Sequence, residues 1–244
     1  MNIAEIRNIV QAARKAVFFG GAGVSTESRI PDFRSASGLY RTAQGTAYPP
    51  EVMLSRPFFD THPEEFYAFY RAKMLHPGAK PNDAHQALAK LEREGRLAAV
   101  VTQNIDGLHQ AAGSSRVLEL HGSVHRNFCT SCGRSHDLAY VLESGPGVPA
   151  CTACGGTVKP DVVLYGENLD PGVLEAAVQA IAEADVLIVG GTSLTVNPAA
   201  SLIRHYSGNR LILLNREATP YDDRAQYIVR DSIGGVLRLL TEGE

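Results

Sequence analysis

Residues 17–35 read VFFGGAGVSTESRIPDFRS, with an apolar run, Ala16 to Phe19, passing directly into Gly21-Ala22-Gly23. That is the order of a strand ending in a glycine-rich turn, where backbone N–H groups can approach a pyrophosphate. Two glycines also make an ordinary tight turn, so the stretch has to be weighed against the rest of the chain. Thr26 stands where a dinucleotide fingerprint has its third glycine, and Arg41 where it has an acidic residue about 20 positions on. An ordinary dehydrogenase site is therefore not expected. The following run, Pro31-Asp32-Phe33-Arg34, adds a rigid turn, a carboxylate, an aromatic ring and a guanidinium close to the presumed phosphates.

Working outward, three further runs have the same character: Ala99-Val100-Val101, Val186-Leu187-Ile188-Val189 and Leu211-Ile212-Leu213-Leu214. Short β-branched and aliphatic runs of this kind suit parallel strands buried on both faces. Between them lie helix signals. Asn82 caps DAHQALAKLERE before Gly95, and Pro171 opens PGVLEAAVQAIAEA. The alternation predicts an α/β fold with a doubly wound, Rossmann-like parallel sheet. The four strands end in GGAG, TQNID, GGTS and NRE, so polar groups collect along one edge of the sheet, where open α/β sheets bind ligands.

Two stretches break the rhythm and read as inserts, a small domain made of a helical module and a zinc ribbon. The expected organisation is residues 1–35, 81–123 and 161–244 for the Rossmann-like domain. Residues 36–80 form a helical module with the cofactor loop, containing PEEFYAFYRAKML, and residues 124–160 the ribbon. The ribbon holds all four cysteines, in the pairs Cys129/Cys132 and Cys151/Cys154 with 18 residues between them. That spacing suits two knuckles closing a tetrahedral, structural zinc site. Two disulfides, or a redox-active Cys-x-x-Cys, are the alternatives, and a reducing cytosol disfavours the disulfides. His121, eight residues before the first cysteine, is not needed as a ligand once four thiolates are counted. It reads as either a core histidine or a base at a strand end, after Val117-Leu118-Glu119-Leu120.

The 244 residues carry a formal net charge of −3, without the basic excess of a nucleic-acid binder. The start, MNIAEIRNIVQAARKAVFF, has no signal-peptide pattern, and no apolar run reaches the length of a membrane span. The expectation is a cytoplasmic monomer with no nucleic-acid or membrane partner.

Taken in order, GAGVSTESRIPDFR, TQNID, HG, the two cysteine pairs, VVLYGE, GTS and NRE resemble the sirtuins, NAD-dependent protein lysine deacylases, from about Val17 to Leu240. The compact chain is most similar to bacterial or archaeal members. The resemblance implies NAD as cofactor, one structural zinc on Cys129, Cys132, Cys151 and Cys154, and acylated lysine of proteins as substrate. It implies release of nicotinamide, O-acyl-ADP-ribose and free lysine. Gly21, Ala22, Gly23 and Ser25 would cradle the pyrophosphate, with Phe33 and Arg34 over the reacting end. Ile30 and Asp32 would hold the carboxamide, and Gln103, Asn104 and Asp106 would surround the nicotinamide and its ribose. Gly191, Thr192 and Ser193 would meet the phosphate and ribose region, and Asn215 and Glu217 the adenosine ribose. His121 would be the general base, with Asn104 beside it in catalysis, and a neutral imidazole suits that role. Val162, Val163, Leu164, Tyr165 and Gly166 would pair with an extended substrate backbone, and Tyr67 and Tyr70 would border the acyl pocket. His85 and His109 read as packing residues.

Two departures stand out. Arg29 replaces a usual glycine and would be strained if that position needs positive φ. Members that take acidic acyl groups resemble one another in a Tyr-x-x-Arg, whereas here Arg71 follows Tyr70 directly, about 100° away on the helix. Acetyl and other neutral acyl groups are therefore expected. The competing readings are ADP-ribose transfer to protein on the same fold, a nicotinamide-dependent oxidoreductase, and a zinc-ribbon nucleic-acid binder.

Overall fold

The computed structural model describes residues 3–35, 38–42 and 47–242. The chain opens with helix α1 (Ile3–Gln11) and strand β1 (Ala16–Gly20), then passes through four helices, α2 (Leu39–Thr42), α3 (Pro50–Met53), α4 (Arg56–Thr61) and α5 (Pro63–Lys73). There follow α6 (Asp83–Arg93), β2 (Leu97–Thr102), α7 (Leu108–Ala111) and β3 (Val117–Glu119). The ribbon segment contributes β4 (Gly122–Cys129), β5 (Ser135–Asp137), α8 (Leu138–Glu143) and β6 (Val158–Val162). The chain ends with α9 (Pro171–Ala182), β7 (Val186–Gly190), β8 (Leu211–Leu214), β9 (Tyr227–Val229) and α10 (Ile233–Thr241).

Six strands form one parallel sheet in the order β3-β2-β1-β7-β8-β9. Counting only its own strands this is 3-2-1-4-5-6, the doubly wound order with its switch point between β1 and β7. Every residue of β1, β7 and β8 is buried, as their unbroken apolar runs require. Alternate residues serve opposite faces: Phe18, Val100, Ile188 and Ile212 pack under α1, α6 and α10, while Phe19, Val101, Leu187 and Leu213 pack under α9 and the 3-10 segment Ala199–His205. Each such side chain contributes on the order of 1.5–3 kcal/mol through burial. Asn82 caps α6 as expected, accepting from Ala84 and His85 N–H, and Asp170 caps α9 ahead of Pro171.

The second sheet, β5-β4-β6, is antiparallel. Its central strand β4 begins at Gly122 and its edge strand β6 ends at Val162, so the sheet extends two residues beyond the expected 124–160 on each side. The expected boundary at residue 36 lies outside the described residues. The helical and ribbon modules share one apolar cluster in which Phe58, Phe66, Tyr67 and Tyr70 meet Val124, Val141 and Val162. The reason is physical: neither a four-helix fragment nor a three-stranded ribbon buries enough surface alone. Arg71 ties the two together, its guanidinium donating to the carbonyls of Pro146 (2.9 Å) and Val141 (3.4 Å) and to Ser144 Oγ (3.0 Å). No helix among the described residues is long and apolar enough to cross a membrane.

Candidate active site

A cavity of about 820 Å³ opens where the C-terminal ends of the parallel strands face the small domain. Its floor is the glycine-rich turn. Gly23 N–H donates to Gly191 C=O at 2.8 Å, and a Cβ on Gly23 would lie 2.7 Å from Gly191 Cα. The glycine is thus required by close approach of the β1 and β7 turns, whose residues line the cavity at the switch point.

Beside the turn, the loop after β2 is held by side chains. Asn104 Nδ2 donates to Ser25 Oγ (3.1 Å), which donates to Asp106 Oδ2 (2.7 Å), while Asp106 Oδ1 accepts Leu108 N–H (2.9 Å). Gln103 N–H bonds Gly20 C=O at 2.9 Å and its side chain donates to Thr192 Oγ1 at 3.0 Å, linking the ends of β1, β2 and β7.

His121 sits in the two-residue step from β3 into β4. Gly122 follows with φ 75°, and a Cβ there would meet Asp161 O at 1.9 Å, so only glycine lets β4 start against β6. His121 Nδ1 lies 3.0 Å from the Gln103 carbonyl. A carbonyl only accepts, so Nδ1 carries the proton and Nε2 keeps its lone pair. Burial lowers the imidazole pKa below its usual value, with the Gln103 bond opposing. The ring is neutral at neutral pH.

Of the residues singled out in the sequence, Gly21, Ala22, Gly23, Ser25, Ile30, Asp32, Phe33, Arg34, Gln103, Asn104, Asp106, His121, Gly191, Thr192, Ser193, Asn215 and Glu217 all line this one cavity. So do Tyr70 and Val162 to Gly166. Tyr67 does not: it is fully buried, and its hydroxyl donates to the Val158 carbonyl, fastening α5 to β6. The aromatic periodicity of α5 could not separate a core-facing tyrosine from a cleft-facing one. Asp32 spends Oδ1 on the N–H groups of Arg34 (3.0 Å) and Ser35 (2.8 Å), shaping its own turn. Arg29 takes φ 65°, so the position does adopt the left-handed conformation in which a non-glycine residue is strained.

Two cleft residues, and the arginine behind one of them, are not among those singled out in the sequence. Lys73 lines the wall one helical turn after Tyr70, a spacing of three that was there to be noticed. Asp231 lines the far end, and Arg230 before it donates to the Asn215 (3.0 Å) and Glu217 (2.6 Å) carbonyls, fixing the β8 turn. They close β9, a three-residue strand too short to read as a fifth polar strand end.

The four cysteines converge, with all Sγ atoms within 4.8 Å of one another and two pairs at 3.4 and 3.7 Å. Zn–S bonds of about 2.3 Å require tetrahedral edges near 3.8 Å, so the set fits zinc with small adjustments. Knuckle geometry accompanies it, Cys129 Sγ accepting from Ser131 and Cys132 N–H and Cys151 Sγ from Ala153 N–H.

A model of the Sir2 family matches residues 21–198. The chain belongs to the Sir2 family. It is 60% identical over 235 residues, 96% of each chain, to a protein of Clostridium acetobutylicum named NAD-dependent protein deacetylase. Among solved structures, a Sir2 protein with p53 peptide and NAD+ superposes with TM-score 0.84 at 39% identity, covering 98% of this chain and 96% of that one. A Sir2 variant with deacetylated p53 peptide and 3'-O-acetyl ADP ribose gives TM-score 0.88 at 38% identity, covering 98% and 97%. The cavity lies between the parallel sheet and the part of the chain that holds the cysteine cluster, and no cysteine lines it.

Proposed function

We propose that the protein removes acetyl groups from lysine side chains of proteins with NAD as co-substrate, and that the residues gathered in the cleft divide that work. NAD, when bound, supplies the ADP-ribose that accepts the acyl group and releases nicotinamide. In the turns at Gly21 to Ser25 and Gly191 to Ser193, the N–H groups of Gly21, Gly23, Val24, Ser25 and Gly191 bond carbonyls, so those of Ala22, Thr192 and Ser193 are the ones that would meet its phosphates. Asn215, held by its own bond to the Glu217 carbonyl (2.9 Å), stands at the ribose of the adenosine end. Asn104 and Asp106, locked through Ser25, would hold the other ribose with fixed polar groups. His121 Nε2 takes the proton of a ribose hydroxyl, and its charge is stabilised through Nδ1–H on Gln103. Val162 to Gly166 receive the substrate backbone as an added strand.

The observation that carries the assignment is His121 itself. Its tautomer is fixed by one carbonyl and its free nitrogen shares a cavity with both the strand-end turns and the Val163 loop. The departures from the dehydrogenase fingerprint at Thr26 and Arg41 speak against a nicotinamide-dependent oxidoreductase, and the acidic balance speaks against nucleic acid. Cysteines clustered for zinc instead of paired in disulfides suit a reducing compartment, and we place the protein in the cytoplasm.

Neutral acyl groups are the expected substrates, because Arg71 is committed to the ribbon and lies over Tyr67 at 5.0 Å. Mass spectrometry of acetyl-lysine and succinyl-lysine peptides with and without NAD, alongside His121→Ala, tests the whole reading. Deacetylated peptide, nicotinamide and O-acetyl-ADP-ribose should form only with NAD and wild-type protein. Nicotinamide release with ADP-ribose on protein and the acetyl group retained would replace the reaction by ADP-ribosyl transfer. Faster desuccinylation would assign Lys73 a carboxylate partner.

A further inference from the structure

A buried ammonium group sits inside the loop that faces the peptide. Lys159, on β6, is only 3% exposed, and its Nζ reaches the carbonyls of Pro160 (3.1 Å) and Val162 (3.0 Å) and Glu167 Oε2 (3.0 Å). Three donor protons meet three acceptors, which is what a buried charge requires. The Glu167 carboxylate has two further partners, Leu164 N–H at 2.9 Å and Arg56 Nη1 at 3.1 Å. One ion pair therefore joins Val162 C=O to Leu164 N–H across the bend in the chain.

The remaining inward groups are also tied. Val163 N–H donates to the His121 carbonyl at 3.0 Å, and Tyr165 exchanges bonds with Leu54 C=O and Arg56 N–H. Among the described residues, Val163 C=O and Gly166 N–H have no hydrogen-bond partner, and both residues line the cleft. An ordinary edge strand leaves alternate groups free along its length. Here, the free pair is defined by a salt bridge beneath it.

We propose that Lys159 and Glu167 are positioning residues for substrate: their ion pair holds the 162–167 loop so that Val163 C=O and Gly166 N–H stay unpaired at the cleft for an extended peptide. The proposal rests on the deacylase reading above. Lys159 does not line the cleft; Glu167 does, with its carboxylate taken up by Lys159, Arg56 and Leu164 N–H. Their effect on substrate runs through the loop and through its bond to the His121 backbone.

Steady-state kinetics with acetyl-lysine peptide and NAD varied in turn distinguish positioning from simple structural support. Lys159→Met should raise KM for peptide about 10-fold or more while KM for NAD stays within about 2-fold. Lys159→Arg, which keeps the charge, should recover most of the peptide affinity. Glu167→Gln, an isosteric change that serves if Lys159→Met does not fold, should show the same one-sided rise. Combining Lys159→Met with Glu167→Gln should add little to the larger single effect, since both break one ion pair. Unchanged peptide KM, or equal rises for peptide and NAD, in both single variants overturns the positioning role while leaving an active wild type to support the deacylase reading. Wild-type protein without NAD-dependent turnover sinks that reading and the ground of this proposal with it.

Discussion

Replacing His109 with leucine should remove about half of the acid lability that a buried histidine pair builds into the sheet domain. His85 and His109 are 0% and 1% exposed, with ring centroids 4.7 Å apart. His85 Nδ1 completes the α6 capping box, whereas His85 Nε2 and both nitrogens of His109 have no partner among the described residues. Burial lowers both pKa values, the neighbouring imidazole lowers that of His109 further, and Asp106 and Glu27 only partly offset the effect at His85. A depressed folded-state pKa means that the unfolded chain takes up protons the folded chain refuses. Stability is therefore full well above pH 6.5 and falls as pH drops below it. At pH 5 each imidazole of the unfolded chain gains about 2 kcal/mol, from 1.5 pH units at about 1.36 kcal/mol each. The pair thus costs about 4 kcal/mol relative to pH 8, a large part of the roughly 5–15 kcal/mol typical of a domain. Leucine is similar in volume, makes the Phe18 contact without polar atoms, and removes one titration. Urea unfolding at pH 8 and pH 5 reads the difference: the variant should lose about 2 kcal/mol less between the two and be no less stable at pH 8. Superimposable pH profiles for wild type and variant would refute the claim that His109 is held neutral.

Three further outcomes are expected. The acidic limb of kcat/KM should fall below pH 6.5, because burial lowers the pKa of His121 and a base must be neutral; a limb above 6.5 would place the titration elsewhere. Arg29→Gly should stabilise the chain by about 0.5–1 kcal/mol in urea unfolding, since φ 65° costs a non-glycine residue about 1–2 kcal/mol and glycine's unfolded-state entropy returns part of it. A loss of stability would show Arg29 making compensating contacts. Elemental analysis should find one zinc per chain, and Cys151→Ala should lose it together with the near-ultraviolet signal of the small domain. Retained zinc would mean a different ligand set.

How far the sequence revealed all this depended on the range of the interactions involved. The apolar runs of β1, β7 and β8 could be read because strands buried on both faces need uninterrupted hydrophobic residues. The cysteine spacing was legible because two knuckles and a tetrahedron constrain it locally. His121 could be placed at a strand end, yet its tautomer depends on the Gln103 carbonyl, 18 residues away in sequence. Tyr67 was read as a pocket residue because α5 offers aromatic side chains on several sides, and only the position of β6 decides which are covered. Lys159 was passed over for a similar reason: a lysine in a strand reads as solvent-facing until Glu167 is seen to fold back beneath it. Short-range rules therefore recovered the framework, while long-range hydrogen bonds determine the fine geometry of the site.

The placement of His121 also explains why the small domain must be well folded for chemistry that zinc does not perform. The side chain of His121 is oriented by the parallel sheet, through Gln103 at the end of β2, while its backbone carbonyl receives Val163 N–H from the end of β6. One residue thus records the relative position of the two sheets. A shift of β6, whether from loss of zinc, of the Tyr67 tether or of the Lys159 ion pair, moves the peptide-facing loop relative to Nε2 while leaving the turns at Gly21 and Gly191 in place. Perturbations spread across the ribbon should consequently share one kinetic signature, weakened peptide use with cofactor affinity largely retained. Perturbations of Asn104 or Ser25, which lie on the parallel-sheet side, should show the reverse.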